Sequence, residues 1–209
     1  MFFRDRQDAG QKLAEKLAKF KNKKDTIIIG LPRGGIIVAG QVAKTLNLPL
    51  DIVIPRKISA PQNPEFAIGA ISEDGYSVFD QDIIIQEGIN KKYLEEEITK
   101  EKKEAQRRLK LYRGHRTPLD LKYKTAIIID DGIATGSTMQ AAILSVKNKK
   151  AKHIILAVPV LPKESLEKFQ TLSEELFYVH LPHLFMAIGN FYADFRQITD
   201  QEVIEQLNK

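Results

Sequence analysis

The chain has 209 residues, 43% hydrophobic and 28% charged, an ordinary globular composition that excludes collagen-like, low-complexity and disordered chains. It contains no cysteine, which excludes a disulfide scaffold, a thiolate nucleophile and any Cys-ligated zinc or iron–sulfur site. The formal charge of +5 is a mild basic excess that suits an anionic ligand without implying nucleic acid. DNA is disfavoured, because only about 25 residues precede the first strand, too few for a helix-turn-helix module with its linker; RNA stays open. No apolar run approaches the roughly 20 residues of a membrane span, and the opening Met1-Phe2-Phe3-Arg4-Asp5-Arg6 turns polar at once. A cytoplasmic protein with no membrane partner is expected.

Hydrophobic periodicity predicts a helix over 6–21, a strand over 26–30, a helix over 35–46 and a strand over 51–54. The segment 55–66, with Pro55, Pro61 and Pro64, reads as an irregular excursion. Two weaker strands, 67–71 and 76–79, flank Ser72-Glu73-Asp74-Gly75, whose Asp-Gly reads as a hairpin turn. A highly charged helix over 91–112 has a narrow apolar stripe, Leu94, Ile98, Ala105, Leu109 and Tyr112. That stripe reads as the docking face of a solvated helix; the sharper alternative is a homodimer contact. A loop over 113–123 follows, then a strand over 125–130, a helix over 137–148, a strand over 153–158 and a helix over 163–172. Short Ile- and Val-rich strands alternating with helices predict an α/β fold, a parallel sheet flanked by helices. No repeat or linker divides the chain, so 1–209 is read as one domain.

The chemistry concentrates in Ile127-Ile128-Ile129-Asp130-Asp131-Gly132-Ile133-Ala134-Thr135-Gly136-Ser137-Thr138-Met139. A buried strand ends in two adjacent carboxylates, and a small, hydroxyl-rich loop then opens a helix. Ligands bind at this edge of open α/β sheets. The loop amides and the helix N-terminus can cradle a phosphate, with the hydroxyls of Thr135, Ser137 and Thr138 as further donors. Two carboxylates beside such a cradle repel a phosphate unless they also find polyol hydroxyls or a cation; a ribose 5-phosphate supplies the hydroxyls. No G-x-x-x-x-G-K-[ST] sequence and no G-x-G-x-x-G after a strand offers a competing phosphate site. An acidic strand end followed by an ordinary N-cap explains any two of these features but not all of them in register. The four histidines form no metal-ligand pattern.

This stretch resembles the phosphoribosyl-pyrophosphate (PRPP) motif of type I phosphoribosyltransferases. Leu31-Pro32-Arg33-Gly34-Gly35 resembles that family's pyrophosphate loop. Pro55-Arg56-Lys57, Asn63-Pro64-Glu65, Ile68-Gly69-Ala70 and the segment from Gly189 to Phe195 extend the resemblance over nearly the whole chain. It implies a core at about 22–180, a flexible loop, and a C-terminal hood at about 181–209. It also implies Mg²⁺ carried by pyrophosphate, with no direct protein ligand beyond water-mediated contacts from Asp130 and Asp131. Carried over by position, Asp130 and Asp131 match the pair that binds the ribose hydroxyls. Ala134, Thr135, Gly136, Ser137 and Thr138 match the 5′-phosphate loop, and Arg33, Gly34 and Gly35 the pyrophosphate loop. Arg56 and Lys57 resemble a basic pair that contacts pyrophosphate in orotate phosphoribosyltransferases. Phe191, Tyr192, Asp194 and Phe195 are candidates for a base pocket. The implied function is transfer of ribose 5-phosphate from PRPP to a small nitrogenous acceptor; the alternative is a PRPP-binding regulator with little catalysis. One departure stands out: from Ile58 to Gly69 the expected flexible loop contains no Lys, Arg or His.

Overall fold

The structure, a computed structural model, describes residues 2–209. Met1 and the side chains of Pro64 and Glu65, which carry part of the resemblance, lie outside the described residues. In chain order the elements are α1 (Arg6–Lys16), β1 (Thr26–Gly30), α2 (Gly34–Leu46), β2 (Leu50–Ile52), β3 (Arg56–Ala60), β4 (Asn63–Ile71), β5 (Ser77–Phe79), α3 (Gln81–Gln86), α4 (Lys91–Arg113), β6 (Thr125–Ile129), α5 (Ser137–Asn148), β7 (His153–Val160), α6 (Leu166–Leu172), β8 (Glu175–His180) and α7 (Asp200–Leu207). A five-stranded sheet runs in the order β2-β1-β6-β7-β8, with every neighbouring pair parallel. β3, β4 and β5 form a separate antiparallel sheet.

The central strands are buried on both faces, and their alternation assigns each residue a side. Ile27 and Ile29 of β1, Ala126 and Ile128 of β6, and Ile154 and Leu156 of β7 pack with Met139, Ala142, Ile143 and Val146 of α5. Ile28, Ile127, Ile129, Ile155 and Ala157 pack with Leu13 and Leu17 of the N-terminal segment and Val38, Ala39 and Val42 of α2. Hence α1, outside the expected core limits, is one wall of the core.

Two expectations change and a third holds. First, 55–66 is not irregular: β3 and the start of β4 form a hairpin that turns at Pro61-Gln62, with register shifts on either side of Ser59. Proline interrupts a ladder only where its missing N–H is needed, and Pro61 falls at the turn. Second, the helix expected over 6–21 ends at Lys16 and tightens into a 3₁₀ turn over Ala18–Phe20, a common helix ending. Third, the stripe on α4 is covered within the chain. Leu94 and Ile98 pack against Ile58 and Ile68 of the small sheet, while Ala105, Leu109 and Tyr112 pack with Val203 and Leu207 of α7. It is a docking face and is not left over for a second copy.

The small sheet is tied to α5 by charge. Lys149 lies 2.9 Å from Glu73 and 3.0 Å from Asp74, both in the turn between β4 and β5. Ser145 donates to Asp74 at 2.9 Å. No helix among the described residues is long and apolar enough to cross a membrane.

Candidate functional site

Parallel pairing sets Gly30 opposite Ile129, so the chain leaves β1 and β6 side by side at the carboxyl edge of the sheet. The amide of Leu31 donates to the Ile129 carbonyl at 3.0 Å and extends the contact by one residue. Residues 31–35 thereby lie against Asp130 and Asp131. The approach is so close that a Cβ on Gly34 would sit 1.9 Å from Asp131 Oδ2, and one on Gly35 would sit 2.6 Å from Asp130 Oδ1. The two glycines are thus required by contact between the two loops, which their resemblance to a pyrophosphate loop did not reveal.

Asp131 continues the side of β6 that faces α1, and there it meets Arg6. The Arg6 Nε donates to Asp131 Oδ2 at 2.8 Å, and its Nη1 donates to the Arg196 carbonyl at 2.9 Å. The guanidinium lies 3.9 Å above the Phe195 ring. Arg6 is only 8% exposed. Asp130 Oδ1 accepts from the Asp131 amide at 2.8 Å. Burial, then the adjacent Asp131 charge, push the Asp130 carboxyl well above its ordinary value. Burial raises Asp131 too, against the opposing pull of Arg6. The site therefore holds two adjacent carboxyls in a poorly solvating place, with one built-in counter-charge.

Beyond the pair, the chain forms the loop that opens α5. The Ile133 amide donates to the Val160 carbonyl at 3.0 Å. The next amides, of Ala134, Thr135 and Gly136, have no acceptor among the described residues, and Ser137 and Thr138 occupy the first turn of α5, where amides lack helical partners. Gly136 adopts φ 80° and ψ 1° at the helix start, a left-handed conformation that suits glycine. Five successive residues thus present backbone donors and three hydroxyls beside the carboxylates, a fitting cradle for one phosphate.

The remaining expected residues divide. Arg33 immediately precedes α2 without a capping side-chain bond; its side chain is 39% exposed, and its Nη1 is 3.9 Å from Asp200. Arg56 is engaged elsewhere: its Nε donates to Glu101 of α4 at 2.7 Å. Lys57, half-buried, lies opposite Ala70 on β4. Tyr192 differs from a base-pocket residue, because it is 3% exposed and packs on Phe3 and Phe195. Its hydroxyl donates to the Asp131 carbonyl at 2.6 Å. Phe195 underlies Arg6, and Asp194 accepts from the Arg196 amide at 3.0 Å. Phe191 neighbours His180 and Phe185 at ring distances of 5.2 and 6.0 Å. Much of the aromatic cluster is thus support behind Asp131. Arg6 was missed in the sequence because nothing local to it signals a partner 125 residues away.

A parallel α/β sheet with an acidic pair, an amide-lined loop and a glycine loop at one carboxyl edge is the architecture of the class that the motif resembles. The comparisons agree: the model of the phosphoribosyl transferase domain family matches residues 4–179, and the chain belongs to that family. A Mycobacterium tuberculosis protein provisionally named a phosphoribosyl transferase is 39% identical over 207 residues, 99% of this chain and 46% of its own length. The chain thus spans about half the length of the curated relatives it matches. A crystal structure of a Thermus thermophilus protein is similar at 37% identity with a TM-score of 0.82, covering 99% of this chain and 98% of that one.

Proposed function

We propose that this chain is a phosphoribosyltransferase that binds PRPP with Mg²⁺, moves ribose 5-phosphate to a nitrogen of a small acceptor and releases pyrophosphate. The observation that carries this reading is the contact of the loop 31–35 with the Asp130–Asp131 pair at one sheet edge, from which the chain runs directly into the amides of 134–138. In it, Asp130 and Asp131 accept the ribose hydroxyls, and residues Ala134, Thr135, Gly136, Ser137 and Thr138 hold the 5′-phosphate. Arg33 and the backbone at Gly34 and Gly35 meet the pyrophosphate. The C1–oxygen bond breaks with positive charge developing on the sugar, so the chain's task is to orient both partners and exclude water. No side-chain nucleophile is required.

The donor set fits a metal shared with substrate. No group of three or more metal-binding side chains exists among the described residues, and Mg²⁺ commonly takes one or two carboxylates plus phosphate oxygens and waters. Asp130 and Asp131 are the residues that would hold it. When bound it supplies charge neutralisation for the leaving pyrophosphate. Phe191 is the hood aromatic least committed to supporting Asp131, and it is assigned here to the acceptor, with Asp194 at the rim.

One observation favours the alternative of a PRPP-binding regulator: Arg56, the expected pyrophosphate cation on the hairpin, is held by Glu101. A single experiment separates the readings. The protein is incubated with PRPP, Mg²⁺ and a pool of nucleobases, and products are read by mass spectrometry. A new nucleotide mass establishes transfer; PRPP bound but returned intact favours the regulator, or an acceptor outside the pool. No binding of PRPP, by calorimetry, refutes both.

A further inference from the structure

We propose that Arg6 is a positioning residue for the ribose: its buried guanidinium, clamped between the Phe195 ring and the Arg196 carbonyl, fixes Asp131 Oδ2 so that the carboxylate's other oxygen is presented to the sugar. The inference rests on the reading of Asp131 as a ribose-hydroxyl acceptor and adds a residue outside every motif that suggested that reading.

Three observations carry it. The first is geometric. Arg6 reaches Asp131 with Nε at 2.8 Å and the Arg196 carbonyl with Nη1 at 2.9 Å, so two separate bonds set the plane of the guanidinium. Stacking at 3.9 Å on Phe195 fixes the same plane from a third direction. The second is the frame around it. The Phe2 and Phe3 amides donate to the Phe191 carbonyl at 2.9 and 2.8 Å, and the Ala193 and Asp194 amides donate to the Phe3 and Arg4 carbonyls at 2.8 Å. Residues 2–4 and 191–194 are therefore zipped together immediately before Arg6 and Phe195. The same zipper carries Tyr192, whose hydroxyl holds the Asp131 backbone carbonyl. Both the backbone and one carboxylate oxygen of Asp131 are thus set by one assembly of residues 2–6 with residues 191–196.

The third observation is electrostatic. Asp130 and Asp131 are adjacent and poorly solvated, and Arg6 is the cation bonded to either carboxylate among the described residues. An arginine in a fixed fork suits this task because its donors keep their directions, whereas a lysine in its place has a single, freely rotating ammonium. Arg6 does not need to touch PRPP in this scheme. Its bond to Oδ2 would leave Oδ1 with a defined direction and a negative charge toward the site.

The test is a double-variant cycle on the full chain, reading PRPP affinity in Mg²⁺ by calorimetry and thermal midpoints in parallel. Arg6→Gln is expected to weaken PRPP binding at least about tenfold, and Arg6→Lys to recover part of that loss. Asp131→Asn weakens binding on its own. In the Asp131→Asn background Arg6→Gln is expected to change affinity by less than about twofold, because its target oxygen no longer carries the charge it orients. Arg6→Gln alone leaves a buried, unpaired carboxylate and can fail to fold. The double variant removes both charges and keeps the question open to measurement: it must bind PRPP as Asp131→Asn does. Arg6→Gln binding like wild type, or the two losses multiplying in the double variant, overturns the proposal. Wild type failing to bind PRPP is a different result, which overturns the reading of the site and this inference with it.

Discussion

Replacing Gly34 with alanine tests whether contact between the two loops at the sheet edge depends on a missing side chain. The new Cβ would lie 1.9 Å from Asp131 Oδ2, 2.8 Å from its Cγ and 2.9 Å from Arg6 Nε. Non-bonded heavy atoms settle roughly 3.5 Å apart, so the carboxylate must retreat by about 1.5 Å or the loop 31–35 must lift. A retreating carboxylate abandons the 2.8 Å bond to Arg6, and breaking a buried pair costs about 3–5 kcal/mol. A lifting loop incurs the ordinary overpacking cost of about 1–3 kcal/mol. The chain takes the less costly route, so urea unfolding is expected to show a loss of about 1–3 kcal/mol with an unchanged m value. PRPP affinity falls in either case, since both routes disturb the loops that would hold it.

The control is the same substitution in an Asp131→Ala background. Without the carboxylate the two closest contacts disappear, the remaining 2.9 Å approach is to the end of an Arg6 side chain released from Asp131, and alanine at the first position of α2 is a better helix former than glycine by up to about 1 kcal/mol. Gly34→Ala is therefore expected to be neutral or slightly stabilising there. An equal loss in both backgrounds refutes the reasoning, because the penalty would then come from the loop's own backbone and not from Asp131.

Asp130→Asn is expected to stabilise the ligand-free protein at neutral pH while abolishing PRPP binding. The Asp130 carboxyl is raised by burial and by Asp131, so the folded state holds its proton more tightly than the unfolded chain and ionisation at neutral pH opposes folding. The stabilisation should shrink as pH falls through the raised folded value and vanish below about 3.8, where both states are protonated; a pH series of urea midpoints reads it, and a stability difference that grows on acidification sinks the argument. Lys149→Met should cost about 1–2 kcal/mol, discounted from the 3–5 of a fully buried pair because the lysine side chain is 36% exposed. The Asp74 carboxyl has the opposite sign to Asp130: burial raises it, but Ser72 and Lys149 hold it below its ordinary value. Its contribution is present at neutral pH and is lost as pH falls below about 3.8 toward the folded value, so the Lys149→Met penalty should narrow in acid.

The parallel sheet was legible because its strands are buried on both faces. β1 and the strand ahead of Asp130 are near-uniform Ile runs that only such a sheet accommodates. β8, by contrast, was overlooked although Leu176-Phe177-Tyr178-Val179 is a continuous run of strand-forming residues; the run is short, closed by Glu175 and His180, and as an edge strand it is only half-buried. β3 was obscured by the prolines around it, although Ile58 and Ala60 alternate as strand residues should. α7 carried a readable signal that was overlooked: Thr199 and Glu202 form a capping box, the Ser/Thr-x-x-Glu pattern that announces a helix start. At the site, everything local to the chain was visible, namely the acidic pair, the loop after it and the two glycines. What depends on contacts across the fold was not. Arg56 opens β3 in place of the expected loop, and its direction is set by Glu101 on α4, while Tyr192 is drawn inward by the Asp131 carbonyl.

These long-range contacts explain how the fold tolerates its own site. Two neighbouring carboxylates at the dry end of a buried strand oppose folding, and the chain compensates them unequally. Asp131 receives a guanidinium, while Asp130 Oδ1 accepts from the neighbouring amide and has no cation bonded to it among the described residues. In the proposed complex the ligand completes the balance, because ribose hydroxyls and a metal ion bring donors and positive charge to the oxygens that the protein leaves uncompensated. Binding then gains the relief of a penalty already built into the folded state, in addition to the new contacts. Arg6 sets the limit on that penalty: with it the acidic pair is strained but folded, and the pair keeps one carboxylate fixed and one waiting for its ligand.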